Sequence, residues 1–307
     1  MPIDPQAHAL LHALDQQAAV DFTTIDAPTF RASFAAPAPT SPPEPVGRTE
    51  EILIEGSQHH LRLRLYAPAG KGPWPVTLYF YGSGFAVGSI EQVDPICRAL
   101  AARAQTLVLS VDYRLAPESP FPAAVEDALA ALHWLREHVA RYGGDASRIA
   151  VAGDSAGGNL AAVLAQLARD EGIPLRHQLM MYPPLDASSD SASYRRLATG
   201  YGFTAAWMDW FWRQYLSDPA HAADLRVSPL RQPKLEGLAS ATIFTAEYDI
   251  LRDDAEAYAT ALRAAGVEVR LKRWPGQLHG FVLMQGQIDA ADAALNEAAA
   301  ALRQAFA

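Results

Sequence analysis

The stretch RIAVAGDSAGGNLAAVLA, residues 148–165, decides the fold. Its first half is a short apolar run ending at Asp154, and its second half is rich in alanine and leucine, with the change of pattern falling at Ser155. A strand therefore ends, the chain turns sharply, and a helix begins at once. Gly153 and Gly157 hold the outer positions of the pattern G-x-S-x-G. Small residues are needed there because strand and helix approach closely around a side chain pushed into a strained corner. Ser155 also lies near a helix N-terminus, where unpaired amides point outward and can meet developing negative charge. Glycine, serine and alanine are common, so the pattern alone is weak. The strand-to-helix context makes Ser155 a candidate nucleophile, against the alternative of a purely structural corner.

Further short apolar runs lie on either side: PVTLYFY (75–81), TLVLSVDY (106–113), HQLMMYPP (177–184), SATIFTAEYD (240–249) and the more mixed VEVRLKRWPG (267–276). Strands buried on both faces read this way, because helices cover each side of a parallel sheet. The connecting segments agree. Val125, Leu129, Leu132, Leu135 and Val139 are spaced by three or four, which gives one apolar helix face. Residues 156–169 and 253–265 read likewise, Gly266 is a natural stop, and a last alanine-rich helix is expected near 289–305. Ahead of these, RTEEILIEG (48–56) and HHLRLRLYAP (59–68) predict two antiparallel strands, the second with Leu61, Leu63 and Leu65 on one face and Arg62 and Arg64 on the other. The expected fold is a mostly parallel central sheet covered by helices.

Two regions break this rhythm. At the N-terminus, Asp4-Pro5 predicts a helix start with Leu10, Leu11 and Leu14 on its apolar face. The alanine- and proline-rich residues 27–47 then predict a mobile connection that resists regular hydrogen bonding, so the N-terminus reads as an arm outside the sheet. Between Pro184 and Ser240 lies an insertion of more than fifty residues containing TAAWMDWFWRQYL, with Trp207, Trp210, Phe211, Trp212 and Tyr215 close together. It is either a helix pair packed on the core or a cap whose aromatic face narrows a substrate pocket, and the two are compatible.

Composition removes several classes of function. At 307 residues the chain can bury a large core, as one α/β domain or two smaller ones. A formal net charge of −9, with no block of lysine and arginine, argues against nucleic acid as a partner. Cys97 is the only cysteine, which excludes an intramolecular disulfide and a thiolate metal cluster, and it reads as packing. No run of 18 apolar residues is present, and MPIDPQAHALLHALDQQ has neither a basic leader nor an uninterrupted hydrophobic core. The expectation is a protein without membrane attachment, in the cytoplasm.

A serine nucleophile needs a base, and the base an orienting acid. In a parallel sheet both are expected in loops after later strands, where C-terminal strand ends gather. His279 in WPGQLHGFVLM follows the last strand; His8, His12, His133 and His138 fall on helices, His59, His60 and His177 at strand starts, and His221 in the insertion. Asp249 follows the preceding strand, with Glu247, Asp253 and Asp254 as rivals; the last two read as the cap and first turn of the next helix. The order Ser155, Asp249, His279 is that of the α/β-hydrolases. If the glycine-rich loop YGSGF (81–85) lies beside Ser155, the amides of Ser83 and Gly84 are the best placed to complete an oxyanion hole with that of Ala156. A serine amide donates as well as a glycine amide, so the conformation of Ser83 decides whether the exchange carries a cost.

With these residues in view, the chain resembles the bacterial hormone-sensitive-lipase-like family of carboxylesterases, in the α/β-hydrolase superfamily, over most of its length. GDSAGGN (153–159) matches the family's nucleophile motif residue for residue; AEYDILRDDAEAYA supplies the acid, Asp249, and HGF (279–281) the base, His279. DYRLAPESPFPAAVEDA (112–128) matches a second signature whose role is architectural. The family's HGGG loop stands here as Tyr81-Gly82-Ser83-Gly84, followed by Phe85, so its amide-donor roles fall on Ser83 and Gly84 and its histidine is replaced by Tyr81. The resemblance implies an α/β-hydrolase core over 48–185 and 231–307, and a helical cap formed from the arm, 1–47, and the insertion, 186–230. It implies hydrolysis of short- to medium-chain esters through an acyl-enzyme, a small-molecule ester as substrate, and no metal or organic cofactor. Family members often dimerise, so it also admits a homodimer. The rival activities are hydrolysis of another acyl substrate, such as an amide, lactone or acetyl group, and ligand binding by a catalytically weak hydrolase homologue.

Overall fold

The structure, a computed structural model, describes residues 2–16, 20–33, 43–56 and 59–307. After helices α1 (Pro5–Asp15) and α2 (Ala27–Ser33) come strands β1 (Arg48–Glu55), β2 (His60–Ala67) and β3 (Trp74–Phe80). Helix α3 (Asp94–Ala104), β4 (Leu107–Asp112), α4 (Ala123–His138), β5 (Gly144–Asp154), α5 (Ala156–Asp170) and β6 (His177–Met181) follow. Two cap helices, α6 (Ala192–Arg196) and α7 (Ala205–Tyr215), precede β7 (Ser240–Tyr248), α8 (Arg252–Ala264), β8 (Val269–Leu278) and α9 (Asp289–Phe306).

The strands form one eight-stranded sheet in the order β1-β2-β4-β3-β5-β6-β7-β8. From β4 to β8 every neighbouring pair is parallel, while β1 and β2 add an antiparallel end. Burial follows the residue pattern. β3 is a mainly apolar run and β6 carries His177 and Gln178 before three apolar residues, yet both are buried along almost their whole length, as strands covered by helices on both faces must be. Leu61, Leu63 and Leu65 of β2 are fully buried, while Arg62 and Arg64 on its other face pair with Asp112, Glu51 and Glu91.

The N-terminal arm differs from expectation in two respects. Residues 27–33 are helical rather than irregular: the Asp26 carboxylate accepts the Thr29 amide at 2.8 Å and starts a turn, and burial of Ala27 and Phe30 holds it. Residues 34–42 of the same segment lie outside the described residues. On α1 the buried face is Ala7 and Leu11, and Leu14 is exposed, because the helix rests on the protein along a narrower strip than its leucines suggest. The Asp4 amide donates to Gly276 O at 3.0 Å, so the arm begins against the end of β8. The signature at 112–128 is architectural: the Arg114 guanidinium and amide both bond the buried carboxylate of Asp127, folding the segment back on α4. Among the described residues, no helix is long and apolar enough to cross a membrane.

His177, in β6, places Nδ1 2.8 Å from Ser240 Oγ and Nε2 2.9 Å from Thr242 Oγ1, and burial pushes its pKa down to about 4. An unfolded chain with an ordinary histidine takes up a proton near pH 6.5 that the native state refuses. Stability from this group is therefore complete above that value and is lost as pH falls toward 4, by up to about 3 kcal/mol. His177→Gln is expected to flatten the decline; urea midpoints measured through this interval would assign the acid loss elsewhere if the variant declined as steeply as the parent.

Candidate active site

Ser155 stands between β5 and α5 with φ 49° and ψ −123°, outside the regions comfortable for a residue with a side chain. The reason lies in the glycines around it. A Cβ on Gly157 would meet Phe80 O at 1.9 Å, and one on Gly153 would meet Gly157 O at 2.2 Å. The Ser155 amide is held by Met181 O at 2.8 Å. Backbone from β3, β5, β6 and α5 thus meets at one point, and the Ser155 hydroxyl is turned out of it.

His279 and Asp249 reach this hydroxyl from the neighbouring strand ends. His279 Nε2 lies 3.0 Å from Ser155 Oγ, and its Nδ1 lies 2.7 Å from Asp249 Oδ2. A carboxylate only accepts, so the ring hydrogen sits on Nδ1 and Nε2 faces the serine hydroxyl as an acceptor. Asp249 is fully buried, and its other oxygen accepts the Leu251 amide at 2.9 Å, which fixes the carboxylate just ahead of α8. Its sequence rivals are engaged elsewhere. Glu247 accepts the Gly276 amide at 2.7 Å, Asp253 accepts the Ser193 amide at 2.7 Å, and Asp254 lies in the first turn of α8.

His279 owes its place to an irregularity. Between Ala246↔Trp274 and Tyr248↔Leu278 the register of β7 and β8 shifts, so Pro275, Gly276 and Gln277 bulge from the ladder. Gly276, at φ 73°, lies at this bulge, and a Cβ there would meet the Asp4 amide nitrogen at 2.7 Å. Bulges re-aim the residues that follow them, here the histidine at the strand end.

The glycine-rich loop does lie beside the elbow: a Cβ on Gly82 would approach Ser155 Cβ to 3.0 Å. Three consecutive residues take positive φ, Ser83 at 77°, Gly84 at 63° and Phe85 at 62°. Ser83 therefore occupies a left-handed position that costs a non-glycine residue roughly 1–2 kcal/mol. The run is braced from above by α7, whose Phe211 covers Gly84 and whose Tyr215 stacks on Phe85 at 3.9 Å and 9°. Ala156 is the first residue of α5, at the end where helix amides have no intrahelical partner.

Tyr81 stacks on Tyr113 at 4.4 Å and 19°; its hydroxyl donates to Tyr113 O at 3.3 Å, and the Tyr113 hydroxyl returns a bond to Tyr81 O at 2.9 Å. This reciprocal pair is what stands where the resembling family carries histidine, and it anchors the start of the loop to the segment after β4. Beneath the elbow, Asp154 is buried; burial pushes its pKa up to about 6, with the Tyr79 hydroxyl, donating at 2.7 Å, working in the opposite direction.

All six residues singled out from the sequence, Ser155, Asp249, His279, Ser83, Gly84 and Ala156, fall in one region. Tyr79, Tyr113, Tyr182 and Phe203 were not singled out. Tyr113 stands inside the DYR signature and was legible as structure only; Phe203, stacked on the His279 imidazole, carries no motif at all. Among the described residues, no group of three His, Cys, Asp or Glu side chains could hold a metal ion.

A serine hydroxyl, an imidazole and a buried carboxylate bonded in series at the C-terminal ends of parallel strands define a serine hydrolase of the α/β-hydrolase class. The family model described as alpha/beta hydrolase fold matches residues 77–283. With its relatives, this match shows that the chain belongs to the α/β-hydrolase superfamily, among its carboxylesterases. It is 42% identical over 274 residues to the carboxylesterase NlhH of Mycobacterium tuberculosis, covering 87% of this chain and 86% of that protein. It is 43% identical over 267 residues to an ethyl acetate hydrolase of Pseudomonas putida, covering 85% and 84%. The structure of a hyperthermophilic esterase from Pyrobaculum calidifontis superposes with a TM-score of 0.93 at 38% identity, covering 99% of both chains.

A methyl group on Gly84 would lie 2.1 Å from Phe211 Cγ, at the fixed end of the ring, so either the loop or α7 must move. Gly84→Ala is expected to lower ester turnover on the order of tenfold or more and to change the fluorescence of Trp207, Trp210 and Trp212 on α7. Parent-like turnover together with unchanged emission would show that the contact yields without consequence.

Proposed function

We propose that Ser155 is the nucleophile of a two-step ester hydrolysis, His279 its base and Asp249 the acid that orients the base. The observation that carries this reading is the unbroken series of short hydrogen bonds, 3.0 Å from Ser155 Oγ to His279 Nε2 and 2.7 Å from His279 Nδ1 to Asp249 Oδ2. As Oγ attacks the carbonyl carbon, its proton passes to Nε2; the imidazolium so formed is balanced by the buried Asp249 carboxylate. The carbonyl oxygen becomes an oxyanion held by the amides of Ser83, Gly84 and Ala156. Nε2 then gives its proton to the departing alkoxide, and water repeats the sequence on the acyl-enzyme.

In this reading the core comprises 48–185 and 231–307, and the cap comprises 1–47 and 186–230. Contacts of Phe22 and Phe30 with Trp207 and Trp210 support joining the two cap parts. The substrate is an ester of short to medium acyl chain. Phe203 over His279 and Phe211 over Gly84 bring aromatic walls close to the nucleophile, and a relative of similar length is named for ethyl acetate. A homodimer is supported by the position of β8 at one edge of the sheet, since edge strands offer backbone groups for pairing. Residence in the cytoplasm accords with a free, buried Cys97.

Steady-state hydrolysis of p-nitrophenyl esters from acetate to dodecanoate tests the chemistry and the pocket together. Ser155→Ala is expected to lower kcat by about four to six orders of magnitude and to abolish labelling by an electrophilic phosphonate. A maximum among the shorter acyl chains is expected; a maximum at dodecanoate sinks the chain-length assignment, and turnover surviving in Ser155→Ala sinks the nucleophile.

A further inference from the structure

Between α6 and α7 the cap contains Gly200-Tyr201-Gly202-Phe203, a bend in which both glycines take positive φ, 86° and 79°. The bend sends two rings in different directions. Phe203 stacks on the His279 imidazole, with centroids 4.3 Å apart and planes 22° apart. Tyr201 stacks on Tyr248, the residue before Asp249, at 5.0 Å and 22°. Tyr182 meets the imidazole edge-on at 4.8 Å. One short stretch of cap therefore touches the proposed base and the strand end that carries its acid.

We propose that Phe203 is a positioning residue for the reaction: from the cap it fixes the plane of the His279 ring and stabilises its imidazolium form, while Tyr201 clamps the end of β7 behind Asp249. This rests on the assignment of Ser155 as nucleophile and His279 as base. In the proposed reaction the imidazole gains positive charge as Ser155 Oγ bonds the carbonyl carbon and its proton moves to Nε2. An aromatic face attracts a cation over it. The stacked ring thus acts more strongly on the transition state than on the ground state, which is the condition for raising kcat. The same contact fixes the ring plane that aims Nε2 at Oγ and Nδ1 at Asp249. The polar and charged groups facing His279 are Asp249 at Nδ1, Ser155 at Nε2, the buried Asp154 below the elbow and Tyr182 at the ring edge. None of them is altered by replacing Phe203.

The test compares Phe203→Leu, which keeps apolar bulk and removes the ring face, with Phe203→Tyr, which keeps the face. For p-nitrophenyl acetate, Phe203→Leu is expected to lower kcat by roughly five- to twentyfold with KM within about twofold. Its acid limb of kcat/KM should move to lower pH, because the imidazolium has lost a stabilising neighbour; Phe203→Tyr should restore both. A change confined to KM would make Phe203 a substrate contact and overturn the proposal, as would a kcat loss with an unmoved acid limb, or parent-like behaviour of Phe203→Leu. Ser155→Ala and phosphonate labelling run alongside separate the two levels. Turnover surviving without Ser155 removes the underlying assignment, whereas an inactive Ser155→Ala beside a parent-like Phe203→Leu removes only this inference.

Discussion

The close backbone approach at Gly157 is the constraint from which the site follows. With a notional Cβ only 1.9 Å from Phe80 O, the first turn of α5 is seated directly on the end of β3. No side chain fits between them. β3 and β5 run parallel with Phe80 opposite Gly153, so both strands end at the same level. The residue after Gly153 and Asp154 must turn at once, and it does so at Ser155 in a backbone conformation that costs of order 1–3 kcal/mol. The bond from its amide to Met181 O and the packing of α5 hold that conformation. The same seating brings Gly82, at the start of the loop that leaves β3, against Ser155, so the elbow and the root of the proposed donor loop share one contact.

His279 and Asp249 come to the elbow from one side because β6, β7 and β8 are added in sequence order beyond β5. Strand order alone places their loops at the right edge, but not at hydrogen-bond distance. Asp249 is fixed by a second bond, since the oxygen it does not offer to His279 accepts the Leu251 amide just ahead of α8. His279 is fixed by the bulge at 275–277, itself held by Glu247 and by the Asp4 amide. An N-terminal residue thus supports a histidine near the other end of the chain.

The parallel core was legible because its strands are continuous apolar runs and its helices keep a three- and four-residue spacing, both imposed by burial. The elbow was legible because only glycine tolerates its contacts. His279 and Asp249 were reached from topology, which places functional loops at strand ends. What the sequence concealed depends on packing between distant segments. Helix α2 lies in an alanine- and proline-rich stretch and exists because Asp26 starts it and Phe30 finds Trp207 and Trp210. Leu14 completes a helical stripe yet faces outward, since nothing in the sequence states how wide a strip the core will cover. Phe203 belongs to no pattern, and its meaning arises only when the cap lies over His279.

The loop at 83–85 shows why the cap is more than a cover. Three left-handed residues in succession are an unfavourable backbone run, and two of them, Ser83 and Phe85, lack the freedom of glycine. Such a run persists only when its surroundings over-determine it. Here the cap supplies part of those surroundings: Phe211 on Gly84 and Tyr215 on Phe85. From α2, Arg31 Nε donates to Ala86 O at 2.6 Å and Nη2 to Ala116 O at 2.6 Å, with Glu118 completing the grip. The elbow is held by core backbone, through the bond from the Ser155 amide to Met181 O and the approach of Gly157 to Phe80 O. Residues 83–85 are held from both sides, by Phe211 and Tyr215 of the cap and by backbone bonds from Val87 to Ser83 O at 3.1 Å and from Ala116 to Phe85 O at 3.0 Å. The proposed oxyanion donors therefore depend on core and cap together, whereas the backbone at Ser155 depends on the core alone.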